Sequence, residues 1–316
     1  MASQTSAPPI AIGGVGGSGT RVVAAMFRDL DYYLGDDLND AYDNLWFTLL
    51  FKRRSILVAT EREFRRLIDL FFKRMTVPER PSAEDARQAF LLAEVDRLQH
   101  PREWLLERAR SFSEYSSALG KDQPWGWKEP NTHIVIDRLF DANPDLLYIH
   151  TVRHPIRMSL SRNQNQLQNW GPIFLNRDVS TEPRLSLSFW CAAHRRILDL
   201  QRSAPRRALV VDYDELCADP EAQYGRILNF ARAEANPSAL KRFKEYVWKP
   251  DNDWRCEAHP CGVRSQRFGL CAGNRLPAQL TPHARKFLGL FDREVDGPLW
   301  DRIAAFEGRT RAREPS

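Results

Sequence analysis

Residues 9–21 read Pro-Ile-Ala-Ile-Gly-Gly-Val-Gly-Gly-Ser-Gly-Thr-Arg, and their pattern indicates the fold class. Pro9 to Gly13 is typical of a short apolar strand, and Gly13 to Gly19 is typical of a tight loop. The segment from Val22 to Leu34 then has the apolar periodicity of a helix. A strand, a glycine loop and a helix in succession predict a parallel α/β unit with its ligand at the carboxyl end of the strand.

Three further segments predict strands of the same sheet: Trp125 to Lys128, Leu146 to Val152, and Ala208 to Val211. Helical patterns separate them, so we expect an α/β fold with three layers, a parallel sheet flanked by helices. Residues 40–120 are helical in pattern and predict a large insertion, a lid or substrate wall. We expect a single domain over residues 1–316 with a disordered tail at about 308–316.

The composition indicates a folded protein, since 43% of the residues are hydrophobic and 28% are charged. The net charge is +5, and arginines outnumber lysines by 38 to 8. Acidic residues are interleaved with the basic ones, which argues against a nucleic-acid partner. No secretory signal is visible at the start, and the longest apolar run, Leu45 to Phe51, is too short for a membrane span. We therefore expect a cytoplasmic protein.

The five cysteines are scattered, which favours reduced thiols. The group Cys256, His259, Cys261 and Cys271 has zinc-binding chemistry but not a common structural-zinc spacing. We interpret these four residues as core or loop residues and predict no metal site.

The glycine loop fits the dinucleotide-binding pattern G-x-G-x-x-G through Gly14, Gly16 and Gly19. That pattern also needs an acidic residue after a second strand, for which Asp36 and Asp37 lie at a plausible distance. An NAD(P)-dependent oxidoreductase of the Rossmann type is therefore an alternative function.

Compared with the nucleoside-triphosphate P-loop, the chain keeps Gly14 and Gly19 but has Thr20 in place of the lysine and Arg21 in place of the magnesium-binding hydroxyl. Backbone N–H groups and the positive end of a helix are sufficient to bind an anion. The loop therefore predicts a phosphate cradle without the Mg-ATP apparatus, and Ser18, Thr20 and Arg21 can add donors.

Four motifs occur in order along the chain. They are Gly17-Ser18-Gly19-Thr20-Arg21, Trp125-Gly126-Trp127-Lys128-Glu129-Pro130, Arg153-His154-Pro155 with Ser161, and Val210 to Leu216. With these motifs the chain resembles the sulfotransferases that use 3′-phosphoadenosine 5′-phosphosulfate (PAPS), of the bacterial type and with some similarity to the tyrosylprotein branch. The resemblance covers residues 9–38 and 125–230.

The resemblance implies a P-loop-like sulfotransferase fold and transfer of a sulfuryl group from PAPS to a hydroxyl or amine, without a metal, releasing adenosine 3′,5′-bisphosphate. The acceptor would be a small molecule or a glycan. The positions implied for the nucleotide are Gly16, Gly17, Ser18, Gly19, Thr20 and Arg21 at the 5′-phosphate, Arg153 and Ser161 at the 3′-phosphate, and Tyr213, which is equally compatible with a core tyrosine. We expect the Ser161 hydroxyl at the start of the helix that follows Arg153.

Lys128 is the implied catalytic cation, and Asp37 aligns with the general base of the tyrosylprotein branch. Glu129 is a competing base, and Asp36 or Asp37 could instead cap the next helix. One departure is Gly17, where the family usually has lysine or arginine, which leaves Lys128 or Arg21 to compensate. A non-catalytic nucleotide-binding protein of the same fold is therefore a second alternative.

Overall fold

The computed structural model describes residues 7–94, 97–114 and 117–247. Its strands are β1 (Ile10–Gly14), β2 (Gly126–Lys128), β3 (Leu147–Val152) and β4 (Ala208–Asp212). Its α-helices are α1 (Thr20–Asp29), α2 (Leu45–Phe51), α3 (Glu61–Thr76), α4 (Ala83–Ala93), α5 (Arg102–Glu114), α6 (Ile136–Ala142), α7 (Pro155–Ser159), α8 (Asn165–Phe174), α9 (Pro183–Ser203), α10 (Tyr213–Ala218), α11 (Pro220–Ala231) and α12 (Pro237–Val247). Short 3₁₀ helices cover Arg54–Val58 and Pro130–Ile134.

The strands form one parallel sheet, as predicted, and their order in it is β2-β1-β3-β4. In the strand register, Ile12 pairs with Lys128, Gly14 with Thr151, and Val152 with Asp212. All four strands therefore end at the same edge. Ligands of open α/β sheets bind at this edge, so the motifs that follow the strands are brought together there.

The alternation of side chains along the strands builds a core on each face of the sheet. Ile10 and Ile12 of β1 pack with α1, α11 and α12, whereas Ala11 between them belongs to the core on the other face. Tyr148 of β3 lies in that second core, which also contains residues of α2 to α6 and α9. The two cores confirm the predicted layers of helix, sheet and helix.

The predicted helical insertion contains α2, α3, α4 and α5. Side-chain caps fix where its helices begin, because Asn44, Thr60 and Ser82 accept hydrogen bonds from the backbone N–H groups of Phe47, Glu63 and Asp85. The insertion joins the sheet through aromatic packing. The centre of the Trp127 ring in β2 lies 5.7 Å from the centre of the Phe47 ring and 5.3 Å from that of the Phe71 ring. This packing places the insertion beside the segment that follows β2.

No helix in residues 7–94, 97–114 and 117–247 has the length and apolar character that crossing a membrane requires. Cys256, His259, Cys261, Cys271 and the predicted tail lie outside the described residues.

Candidate functional site

The glycine loop turns sharply between β1 and α1. The N–H of Ser18 donates to the carbonyl of Val15 over 3.0 Å, and Gly17 and Gly19 have φ angles of 96° and 97°. This left-handed region favours glycine. The N–H groups of Gly16, Gly17 and Gly19 have no hydrogen-bond acceptor among the residues that the structure describes. Three available amides next to the start of α1 form a site suited to an anion.

Gly19 also allows a close approach between the loop and the segment after β4. A Cβ on Gly19 would lie 2.1 Å from Cδ2 of Tyr213, far inside van der Waals contact. Tyr213, the first residue of α10, is 6% exposed. Its ring packs directly on the loop, so the sequence-predicted residues Gly19 and Tyr213 are neighbours.

The hydroxyls predicted to assist the loop are both buried. Ser18 is 1% exposed, and its Oγ lies 2.7 Å from Oγ1 of Thr151 at the end of β3. Thr20 opens α1 and is 4% exposed. In contrast, the side chain of Arg21 is exposed. The Ser18 hydroxyl therefore ties the loop to the neighbouring strand.

Arg153 follows β3 and reaches the loop. Its Nη1 donates to the carbonyl of Gly17 over 3.4 Å, and its guanidinium carbon lies 4.9 Å from the centre of the Tyr213 ring. Its Nε is buried without a hydrogen-bond partner in the described part of the chain. A buried guanidinium N–H needs an acceptor, so this atom is a candidate contact for an anion.

Ser161 also lies beside the loop. Its Oγ would be 3.8 Å from a Cβ on Gly17, and it accepts the N–H of Asn163 over 3.1 Å. The prediction that Ser161 lies at the start of a helix is wrong. The short helix α7 ends at Ser159, and Ser161 lies in the turn before α8. The turn nevertheless brings its hydroxyl close to Gly17.

Lys128 ends β2 and is 2% exposed. Its Nζ contacts Oδ1 of Asp43 and donates to the carbonyl of Ala41 over 3.1 Å. The other Asp43 oxygen accepts from Nδ2 of Asn39 over 2.9 Å. A buried ammonium is stable only when it is paired, and Asp43 provides the opposite charge.

Sequence reasoning did not identify Asp43. Its position depends on a bridge between Leu38 and Asn44 and on a 2.7 Å hydrogen bond from the N–H of Asn44 to the carbonyl of Lys128. These contacts fold residues 38–44 over the end of β2. The sequence shows an acidic residue in this segment, but nothing in it indicates the pairing with Lys128.

Asp37, the predicted base, is paired with a residue of the insertion. Its Oδ1 accepts from Nη1 of Arg108 in α5 over 2.8 Å, and the residue is 9% exposed. Burial raises the pKa of Asp37, while Ser111 and Arg108 oppose the rise. The alternative that an aspartate caps the next helix is wrong for both residues. Asn44 caps α2, and Asp36 instead accepts from the Tyr33 hydroxyl over 2.7 Å.

Glu129, the competing base, is 2% exposed, and both its oxygens accept hydrogen bonds from Asn131. Burial raises the pKa of Glu129, and Lys52 is the largest influence opposing the rise. With both oxygens engaged, Glu129 caps the 3₁₀ helix that follows it. This arrangement fits a carboxylate that orders the segment after Lys128.

A family model described as the sulfotransferase family matches residues 8–237. Comparison with curated protein sequences gives no match. Among solved structures, the sulfotransferase domain of the Synechococcus PCC 7002 olefin synthase is 19% identical and has a TM-score of 0.42. The match covers 92% of this chain and 98% of that chain.

Two further sulfotransferase structures are also similar. For STF1 of Mycobacterium tuberculosis H37Rv, the identity is 15%, the coverage 78% of this chain and 73% of that chain, and the TM-score 0.40. Mouse SULT7A1 complexed with PAP is 12% identical and has a TM-score of 0.39. The match covers 96% of this chain and 89% of that chain. The family-model match spans well over half of the 316 residues and includes all four motifs. The chain therefore belongs to the sulfotransferase family.

Proposed function

We propose that this chain transfers a sulfuryl group from PAPS to a hydroxyl or amine acceptor and releases adenosine 3′,5′-bisphosphate. The observation that carries the proposal is the meeting of two anion-binding elements at one edge of the sheet. The loop offers the amides of Gly16, Gly17 and Gly19, and Arg153 reaches the same loop from the end of β3. A nucleotide with two separate phosphates needs both elements.

The residues present fit such a nucleotide. The loop amides and the start of α1 would hold the 5′-phosphate, with Gly17 to Arg21 around it. Arg153 and Ser161 would hold the 3′-phosphate, and the buried unpaired Nε of Arg153 would find its acceptor there. Tyr213 would support the Arg153 guanidinium, whose carbon lies over the face of the Tyr213 ring.

Lys128 is the proposed catalytic cation. PAPS supplies an activated sulfuryl group, whose transfer breaks the bond to the phosphate oxygen as the bond to the acceptor forms. Negative charge grows on the leaving oxygen, and a buried ammonium stabilises it more than a solvated one would. Gly17 provides no cation and Arg21 is exposed, so Lys128 is the better placed of the two compensating residues.

The proton of the acceptor needs a carboxylate base, for which there are two candidates. Asp37 is the residue that the sequence indicates, but its side chain is only 9% exposed and is paired with Arg108. Asp43 touches Lys128 directly, and its side chain is 22% exposed. When Lys128 turns toward the leaving oxygen, Asp43 loses its cation and becomes able to accept a proton. We therefore favour Asp43 as the base.

The acceptor is proposed as a hydroxyl or amine compound, a small molecule or a glycan. Aromatic residues that could have formed a platform for it are core residues instead, since Trp46 and Trp170 are fully buried. The acceptor would approach beside Asp43, whose side chain is partly exposed.

The proposal is tested by incubating the full chain with PAPS and a panel of alcohols, phenols, amines and glycans. Mass spectrometry should detect an acceptor that gains one sulfuryl group while an equal amount of adenosine 3′,5′-bisphosphate forms. Lys128→Met is the control for transfer that does not use the site. Nucleotide binding without transfer to any compound would favour a non-catalytic binding protein.

A further inference from the structure

The side chain of Gln166 connects the segments that carry the proposed site. Gln166 lies in the first turn of α8, which follows Ser161. Its Nε2 donates to the carbonyl of Gly14 over 3.1 Å, where the phosphate loop begins. Its Oε1 lies 3.0 Å from Nε2 of His133, in the 3₁₀ helix that follows Lys128. The side-chain amide of Gln166 in α8 therefore contacts both the phosphate loop and the segment that follows Lys128.

The chemistry of the three groups fixes the direction of both hydrogen bonds. A carbonyl only accepts, so the Gln166 nitrogen must face Gly14 and its oxygen must face His133. The imidazole must then carry its proton on Nε2. Burial lowers the pKa of His133 to about 3, so the ring is neutral and Nδ1 is unprotonated at pH 7. The contact therefore selects a single tautomer of His133.

The contact with Gly14 orients the first peptide of the loop. No peptide bond in the described residues is cis. In a trans peptide the carbonyl and the following N–H point in opposite directions. Because the carbonyl of Gly14 faces Gln166, the N–H of Val15 is directed away from Gln166. The rotation of this peptide sets the path of the glycines that follow.

A second contact holds α8 on the same 3₁₀ helix. Trp170 lies one helical turn after Gln166, and its Nε1 donates to Oδ1 of Asn131 over 2.7 Å. Asn131 in turn binds the carboxylate of Glu129, next to Lys128. Gln166 is 5% exposed and His133 is fully buried. If the hydrogen bonds of Gln166 were removed, water could not readily replace them.

We propose that Gln166 is a positioning residue for the nucleotide: it fixes the loop peptide at Gly14 against the segment that carries Lys128. The inference rests on the proposed function, because it concerns how the same site is held in shape. Gln166 acts through the backbone of Gly14 and through His133.

The test replaces Gln166 by methionine, which keeps an unbranched side chain of similar length and removes both hydrogen bonds. The matched control is Gln223→Met. Gln223 is 3% exposed, accepts from Arg226 over 3.1 Å and lies in α11, among the helices on the opposite face of the sheet. Calorimetry with adenosine 3′,5′-bisphosphate should show about a tenfold weaker affinity for Q166M and less than a twofold change for Q223M.

A measurement on the unsubstituted protein tests the same inference without a core variant. The imidazole ¹⁵N spectrum should show His133 with its proton on Nε2, and its signals should shift when the bisphosphate is added. Gln166→Glu is a second variant, because its carboxylate keeps an acceptor for His133, loses the donor to Gly14 and places a negative charge beside that carbonyl. It should also bind the bisphosphate about tenfold more weakly than the unsubstituted protein.

The outcomes separate the two claims. If the unsubstituted protein fails to bind the bisphosphate, the proposed function is wrong and the positioning role fails with it. If it binds, equal affinity in Q166M overturns the positioning role alone. Should Q166M not fold, unchanged His133 signals on binding, or unchanged affinity in Q166E, overturn it instead.

Discussion

Nη1 of Arg153 donates a hydrogen bond to the carbonyl oxygen of Gly17, 3.4 Å away. This contact joins the end of β3 to the glycine loop after β1, two segments that are distant in the sequence. An arginine held at the loop while one of its N–H groups stays unpaired is prepared for an anion. We therefore expect Arg153 and the loop to bind the nucleotide together.

Arg153→Ala should weaken the binding of adenosine 3′,5′-bisphosphate by more than tenfold, which corresponds to about 1.4 kcal/mol or more. The lost contact is a charge-assisted hydrogen bond, so the effect should decrease when the 3′-phosphate is absent from the ligand. Calorimetry with the bisphosphate and with adenosine 5′-phosphate measures both values.

Arg207→Ala is the matched control for this change. Like Arg153, Arg207 donates to backbone carbonyls, and its guanidinium carbon lies 4.0 Å from the centre of the Phe140 ring. It differs in location, since it precedes β4 and therefore lies at the opposite edge of the sheet. Its removal should lower stability without changing the affinity. Equal losses of affinity in both variants would show that Arg153 acts only on stability.

Gly19→Ala should abolish nucleotide binding and lower the free energy of unfolding by more than about 2 kcal/mol. The new Cβ would overlap the Tyr213 ring, and the φ of 97° is unfavourable for alanine. Gly225→Ala is the control, because a Cβ there meets nothing within 4 Å in the interior of α11. It should stabilise the protein by about 0.5–1 kcal/mol in urea denaturation. A neutral Gly19→Ala would contradict the close approach.

Lys128→Met should lower kcat by roughly 10²–10³-fold, since it removes the cation proposed to stabilise the leaving oxygen. Affinity for adenosine 3′,5′-bisphosphate should change less, because the loop amides and Arg153 remain. Steady-state kinetics and calorimetry on the same preparation separate the two effects. A loss confined to affinity would assign Lys128 to binding rather than catalysis.

Asp43→Asn should lower kcat by roughly 10²–10⁴-fold and remove the acidic limb of the pH profile of kcat/KM, as expected for a general base. Asp37→Asn is the comparison, since it removes a carboxylate paired with Arg108. It should mainly lower the melting temperature. The reverse pattern would return the role of base to Asp37.

The protein should become less stable as the pH falls from 7 to 5.5. Burial lowers the pKa of His100 and His133 to about 3, that of His194 to about 4, and that of His150 well below its usual range. In this pH range the unfolded chain takes up protons that the folded protein does not. Each histidine should therefore reduce the free energy of unfolding by about 1 kcal/mol.

Urea denaturation at the two pH values tests this sign. His194→Gln should reduce the loss by about 1 kcal/mol, because glutamine does not titrate. Comparing the variant with the unsubstituted protein cancels the contribution of the carboxylates. A loss of the same size in both would exclude His194 as a source of the pH dependence.

Much of the fold could be predicted because short apolar runs next to glycine, lysine, arginine and aspartate determine the strands and their ends. Parallel strands also bring those ends to one edge without further information. The base could not be assigned in the same way. Asp43 meets Lys128 only through the bridge between Leu38 and Asn44, a contact with no periodic signal in the sequence. Gln166 was missed for the same reason, since its partners lie in distant segments.

We propose that the loop and Arg153 together bind a nucleotide with phosphates at both the 5′ and 3′ positions. Calorimetric titration of the full chain with adenosine 3′,5′-bisphosphate, in buffer containing EDTA and no magnesium, tests it most directly. We expect one site per chain and at least tenfold tighter binding than for adenosine 5′-phosphate. Absence of binding, or equal affinity for the two nucleotides, would contradict it.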